Sequence, residues 1–545
     1  MGELYQQAVR LANPACVRAT PADLVYNPSE FMNKKMPLKQ PGWNFRSRAC
    51  GLLICGLLLL ASCNFPIRDF SALPRPYATL DPAIFEYHRS ATPTAGQPGA
   101  APTRTPQPPP VVDESLYHIY TIRSGDTFET VARHFSVTPA AIISMEALPQ
   151  TGILPPGRYL VIPKNTDNLF EQEMILPDSA VINSPCAAPF DISAYVSAAG
   201  GYLSTFSQPV AGIRSSGAEI VRRVADNQSV NPMLLLAILE HRAGLVFGKQ
   251  PPADINHPLG FRNMYYKGLY QELSLAARMV NTGYYGWRYG TMTMVTFTDQ
   301  VAQRISPHLN AGSVALMYLF SQSYPSTDWN ERLLGKSGFM ETYLAMFPDP
   351  WLCAAEVEPL LSDTLSAPQL ELPFAPGEEW AFTAGPHYSW VEGTPLGALD
   401  FAPNIKSAGC RVSPSWVRAS APGVITLAEN GVVILTLEDE KGDVTGWEVM
   451  YLHIAANERV PLGTRLRKDD PIGHPSCEGG SSTGTHVHIA RKYKGEWIGA
   501  QGLFPFVLSG WVAYPGERAY QGRLMKDGQV VIARQGGNQD SLIKR

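Results

Sequence analysis

Three hydrophobic rhythms follow one another along the chain. An unbroken apolar run, Gly51 to Ala61 in "RSRACGLLICGLLLLASC", is shorter than the ~20 residues of a membrane-spanning helix. Next, "YHIYTIRSGDTFETVARHFSVTPAAIISMEALPQTGILPPGRYLVIPK" passes from alternation to a helical stripe and back. Tyr120 and Ile122 alternate as in a strand, Gly125-Asp126 turns it, and Phe128, Val131, Ala132 and Phe135 share one helical face. Ile142 and Ile143 predict a second short helix, and Tyr159 to Ile162 a closing strand before Pro163, so residues 116–165 read as a small βααβ domain.

From 186 to 355 the pattern is mainly α-helical. "GAEIVRRVADNQSVNPMLLLAILEHRAG" places Ile220, Val221, Val224 and Ala225 on one face, then restarts at Asn231-Pro232 with an apolar helix ending near Glu240. From 373 to 545, runs such as "SWVRASAPGVITLAENGVVILTLED" and "TGWEVMYLHI" alternate between turn residues, which predicts an all-β antiparallel domain. Its last stretch, "GRLMKDGQVVIARQGG", predicts a hairpin turning at Asp527-Gly528. The fold class is therefore multidomain.

Length agrees, since 545 residues exceed what one core usually organises. Residues 63–115 include "TPTAGQPGAAPTRTPQPPPVV", a Pro/Thr-rich composition that favours an extended linker. A formal charge of −4 argues against a nucleic-acid partner. Arg46 and Arg48 before the short apolar run, with small residues after it, describe a secretory signal. "LASC" resembles the bacterial lipobox, which implies cleavage before Cys63 and its lipidation. Residues 1–62 are then an N-terminal extension and signal peptide, with translation expected to start at Met32 or Met36. The protein would be extracytoplasmic, anchored to the membrane by lipid and facing the cell wall.

Export makes disulfides available to Cys186, Cys353, Cys410 and Cys477. Three pairings exist. Joining Cys186 with Cys353 and Cys410 with Cys477 keeps each pair inside, or bracketing, one proposed domain.

The chemistry gathers around "GTHVHIA". On a strand His486 and His488 point to one side and Val487 to the other. His387 in "GPHYSW", Asp400 in "ALDFAP" and His453 in "YLHI" lie in the same domain, and imidazole with carboxylate suits zinc (Zn2+). Four histidines and one aspartate make either one closed site, or three ligands and two working bases.

The order of "ALDF", "APGVI", "YLHI", "VPLGTRLRKDDPIG" and "STGTHVHIA" resembles the M23 zinc peptidases, relatives of lysostaphin and LytM, over roughly residues 385 to 500. The resemblance implies that His387, Asp400 and His488 hold zinc, that His453 and His486 flank the scissile carbonyl, and that peptide stems or cross-bridges of peptidoglycan are cut. Many members have His-x-x-x-Asp, whereas a longer loop here separates His387 from Asp400.

Two further resemblances concern glycan. "SGDTF", "VARHF", "LPPG" and "LVIP" resemble a LysM domain, which implies binding of N-acetylglucosamine-containing strands between Gly125, Asp126, Thr127 and Phe128 on one rim and Ile153 and Leu154 on the other. The middle block is similar to lytic transglycosylases and lysozyme, which implies Glu240 as a general acid, with His241 where that family usually has serine. Tyr284, Tyr285, Trp287 and Tyr289 of "NTGYYGWRYG" offer an aromatic sugar surface or core packing. The preferred reading is a lipid-anchored zinc endopeptidase of the cell wall. The alternatives are an inactive peptidoglycan-binding scaffold or hydrolase activator, and a bifunctional enzyme that also cuts glycan.

Overall fold

The computed structural model describes residues 109–165, 173–404 and 409–545. The apolar leader, Cys63 and most of the linker lie outside them. The chain divides into two compact units, 1–72 and 73–545, and every described residue belongs to the second. Among the described residues no helix is long and apolar enough to cross a membrane.

The small N-terminal domain is a three-stranded antiparallel sheet, Tyr117–Thr121, Tyr159–Pro163 and Ile143–Ser144 in spatial order, beside the helix Phe128–Phe135. Thr127 and Thr130 form a reciprocal cap at the helix start. The expected second helix is only a 3₁₀ turn, Pro139–Ala141, after which Ile143 pairs with Val161. β-branched Ile142 and Ile143 fit the pleat better than a further helical turn.

The helical block begins earlier than the apolar stripe indicated. Leu176, Val181 and Ile182 are fully buried in the same core as the later helices, as is Leu360. Ser216 and Glu219 cap the helix Gly217–Gln228 reciprocally. Asn231 caps Pro232–Ala243, where Pro232 occupies a first-turn position that needs no N–H donor. The disulfide Cys186–Cys353 closes this block and Cys410–Cys477 lies in the β domain, as domain bracketing predicted.

The β domain is built on a nine-stranded antiparallel sheet, followed by a separate four-stranded C-terminal sheet of Val507–Leu508, Trp511–Pro515, Gly522–Lys526 and Gln529–Ile532. The central order of the nine-stranded sheet is Gly423–Glu429, Val432–Glu438, Val444–Leu452, Val487–Tyr493, Leu396–Pro403 and Glu379–Tyr388. The terminal strand Leu542–Lys544 pairs with Glu379–Tyr388. The predicted hairpin joins Gly522–Lys526 to Gln529–Ile532, with Asp527 and Gly528 both at positive φ, as a primed turn requires.

Both faces of the nine-stranded sheet are buried. Val432, Ile434, Met450, Leu452 and Ala490 pack into the core of the helical block. Their neighbours Val433, Leu435, Val449, Tyr451 and Ile489 enter a second core on the opposite face. That explains why these strands read as continuous apolar runs instead of strict alternation.

Arg288, at the end of the helix Leu269–Arg288, joins all three domains. Its guanidinium lies 2.7 Å from Asp178 Oδ2 and 2.7 Å from Glu496 Oε1 in the sheet. It also donates to the carbonyl of Ser124 in the small domain.

Candidate metal centre

The site stands at one end of the central strands, where pairing alone brings the residues together. His488 is paired with Asp400 across one strand boundary and with Leu452 across the other, so His453 follows directly. His453, just past the end of that strand, has φ 68, an uncommon backbone state for a non-glycine residue. His387 stands opposite Ala398, next to a break in register.

The spacing between His387 and Asp400 is a hairpin. Its loop leans on the helical block: Glu392 pairs with Arg278, and Gly393 at φ +103 lies so close to the Arg278 carbonyl and Thr282 that a Cβ would collide. The longer connection is therefore a docking element.

Three electron-pair donors converge. His387 Nε2 and His488 Nδ1 are 3.0 Å apart, and each lies 3.3 Å from Asp400 Oδ1. Backbone carbonyls fix both tautomers. His387 Nδ1 is 2.9 Å from the Gly385 carbonyl and His488 Nε2 is 3.0 Å from that of Ser389, so each N–H points away from the site and each lone pair into it. Asp400 Oδ1 is buried without a hydrogen-bond donor. Such a cluster repels itself unless a cation is shared. With metal–ligand bonds of roughly 2.05 Å, tetrahedral neighbours stand about 3.3 Å apart, so the residues fit zinc. Among the described residues this trio is the group able to hold a metal ion.

Electrostatics agree. Burial pushes the Asp400 carboxyl up, but His387 and His486 hold it well below the usual range. Burial acts to lower His387, yet Asp400 leaves it raised. Burial lowers His488.

His453 and His486 sit beside the trio, their rings 4.5 Å apart. His453 Nδ1 lies 2.8 Å from the Glu478 carbonyl, which places its N–H there and a lone pair on Nε2. Burial, with His486 and His488 nearby, favours its neutral form, the one that can accept a proton. His486 differs because both nitrogens face acceptors: Nδ1 is 2.8 Å from the Gly484 carbonyl and Nε2 is 3.4 Å from Asp400 Oδ2.

Tyr520 is a site residue that sequence reasoning missed. Its ring stacks on His387 at 4.5 Å, and its backbone exchanges bonds with Gly385 and Pro386. It arrives from a turn of the C-terminal sheet, and nothing in "GERAYQG" signals a destination 130 residues upstream.

Other predicted residues are committed elsewhere. Glu240 is a loop cap: its carboxylate accepts from the N–H groups of Val246 and Phe247 at 3.0 and 3.1 Å, and burial raises its pKa. The aromatic cluster is an interdomain seam, with Trp497 N–H donating to the Tyr285 hydroxyl and Gly499 N–H to Tyr289.

The expected glycan rim is mostly covered. Asp126 accepts from the Tyr120 hydroxyl and Arg123 N–H, Leu154 is fully buried, and Arg288 and Leu361 crowd Gly125. Thr127 is the helix cap, and Phe128 packs on the small domain's own core. Ile153 lines a cleft.

Comparison with known proteins matches residues 120–163 to the LysM domain and 174–361 to the "LasA, N-terminal domain" family. The second match covers the helical block for which a lysozyme-like fold was expected. Protease LasA of Pseudomonas aeruginosa is 25% identical over 295 residues, 50% of this chain and 65% of that protein. The chain thus spans just under two thirds of that relative. Beta-lytic metalloendopeptidase of Lysobacter enzymogenes is 27% identical over 150 residues, 26% of this chain and 77% of that protein. Among solved structures, the M23 metalloprotease pseudoalterin aligns with 24% identity over 31% of this chain and 96% of its own, at a TM-score of 0.26.

Proposed function

We propose that the chain is an M23-type, zinc-dependent endopeptidase that cuts peptide stems or cross-bridges of peptidoglycan, a reading supported by its LysM match and its similarity to protease LasA and the beta-lytic metalloendopeptidases. The observation that carries this reading is the convergence of two carbonyl-fixed imidazole lone pairs and the undonated Asp400 Oδ1.

His387, Asp400 and His488 would hold zinc, which when bound would supply Lewis-acid activation of water and polarisation of the scissile carbonyl. His453, with its N–H committed to Glu478, presents a lone pair and takes the proton of the attacking water. His486 faces acceptors from both ring nitrogens, the Gly484 carbonyl and Asp400 Oδ2. It donates to the developing oxyanion and then passes a proton to the leaving amine. Lipidation at Cys63 and the 63–115 linker tether the enzyme outside the cytoplasm at the membrane face of the wall, which raises its effective concentration on substrate.

The test is release of new amino termini from purified peptidoglycan, lost on chelation and restored by zinc. A chain fully loaded with zinc that releases none refutes the proposal.

A further inference from the structure

His453 stands just past the end of its strand, at φ 68, so the ladder of that strand does not by itself aim its ring. Six residues on, Arg459 of "YLHIAANERV" folds back over the turn. Its Nε donates to the Ala455 carbonyl at 3.2 Å and its Nη2 to the Ile454 carbonyl at 2.8 Å. The same Nη2 lies 2.8 Å from Glu478 Oε2. Glu478 closes the circuit. Its Oε1 accepts from the Ala456 N–H at 2.9 Å, and its main-chain carbonyl lies 2.8 Å from His453 Nδ1.

These contacts converge on one imidazole. The guanidinium holds the two residues that follow His453, and through a carboxylate it also holds the residue that takes the ring N–H. The Arg459 side chain is 9% exposed, and shielding from water strengthens charge-assisted bonds. Three acceptors around one planar group match the fixed fork of a guanidinium, whereas an ammonium on a flexible stem is a point charge. The Arg465–Glu438 pair offers a contrast. It has the same 2.8 Å separation and joins the strands Arg465–Leu466 and Val432–Glu438. Among the described residues it makes no hydrogen bond or ion pair to the metal centre or to its flanking histidines.

We propose that Arg459, acting through Glu478, is a positioning residue for His453. It fixes both the backbone after the ring and the carbonyl that takes the ring N–H, and so keeps one tautomer and one orientation beside the metal centre. This rests on the reading of His453 as the group that takes the proton of the attacking water.

The test compares Arg459→Ala, Arg459→Lys and the control Arg465→Ala as folded, zinc-loaded full chains, by release of amino termini from soluble cross-linked muropeptides. Arg459→Ala should lose at least about tenfold in kcat, with KM and zinc content unchanged. Arg459→Lys keeps a charge beside Glu478 without the fork and should fall between that variant and wild type; it carries the measurement if the alanine variant does not fold. Arg465→Ala should keep wild-type kcat. Wild-type kcat in Arg459→Ala, an equal loss in Arg465→Ala, or loss of zinc from Arg459→Ala overturns the proposal. Ring-nitrogen NMR of histidine-labelled protein reads the same imidazole without catalysis. His453 should show one tautomer, protonated at Nδ1, in wild type and averaged ring shifts in Arg459→Ala. Unchanged spectra with hydrolysis by wild type remove the positioning role and leave the peptidase reading. Averaged shifts in the variant, with no hydrolysis by zinc-loaded wild type, remove the peptidase reading and leave Arg459 as the residue that orients His453.

Discussion

The disulfide Cys410–Cys477 is placed to govern catalysis as well as stability. Cys477 lies between two residues that hold His453: the Ser476 N–H and hydroxyl donate to the His453 carbonyl at 2.7 and 2.9 Å, and Glu478 takes its ring N–H. At the other end, Thr485, just before His486, donates to the carbonyls of Gly409 and Arg411, the two neighbours of Cys410. One covalent bond thus ties the supports of both His453 and His486. For a sequence separation of 67 residues, chain entropy gives about 4.4 kcal/mol of stabilisation, subject to that model. Cys410→Ser with Cys477→Ser should then lower Tm by roughly 10–15 °C. The control is Cys186→Ser with Cys353→Ser, whose separation of 167 predicts a larger loss, about 5.2 kcal/mol, far from the histidines. Activity is measured on folded protein at 15 °C, with zinc content in parallel. The first pair should lose at least about tenfold in kcat, because small misplacements of catalytic groups are costly, and should retain zinc. The control should keep wild-type kcat. Equal kcat for wild type and the first pair, or equal losses in both, refutes the reasoning.

Three other outcomes follow from single residues. Asp400→Asn removes a charged ligand; since outer-shell changes alone cost about 10–100-fold in metal affinity, the variant should lose more than about 10²-fold, read by native mass spectrometry as a fall from stoichiometric to trace zinc. Arg288→Leu leaves Asp178 and Glu496 unpaired in a buried seam and should cost about 3–5 kcal/mol, seen as a lower urea midpoint. A wild-type midpoint would mean that the triple junction is energetically idle. Asp126 gives a pH signature: burial, opposed in part by Arg123 and Tyr120, raises its pKa from 3.8 to about 6. The folded state therefore holds this proton more tightly than the unfolded chain. Its contribution is full below about pH 4 and is lost as pH rises through about 6, on the order of 3 kcal/mol. Urea unfolding from pH 4 to 7 should show that decline in wild type and not in Asp126→Asn; parallel slopes count against it.

The metal centre was legible because strand chemistry is local. A two-residue period fixed which side His486 and His488 share, and pairing set Asp400 and Leu452 beside His488. What lies across a domain boundary was not legible. "SGDTF" reads the same whether its loop faces sugar or Arg288, because the motif encodes a turn and a helix cap, and both survive docking. Glu240 was not decided by sequence for a related reason. Burial raises a carboxyl whether it serves as a general acid or bridges two amides, and only the Val246 and Phe247 contacts separate the two.

One signal was present and under-read. "VVILTLE" is apolar on both faces, which in an antiparallel sheet means that both are covered. Val433 and Leu435 enter the β domain's own core, whereas Val432 and Ile434 face the helices. Alternation then carries a consequence for the site. His488 shares its side with Ala490, two residues on, and Ala490 is buried against the helical block, so His488 and Asp400, paired with it, lie on the sheet face that the block covers. The Ser389 carbonyl that orients His488 belongs to the same hairpin whose Glu392 and Gly393 lean on Arg278 and Thr282. The helical block therefore supports the hairpin whose Ser389 carbonyl orients the His488 ring.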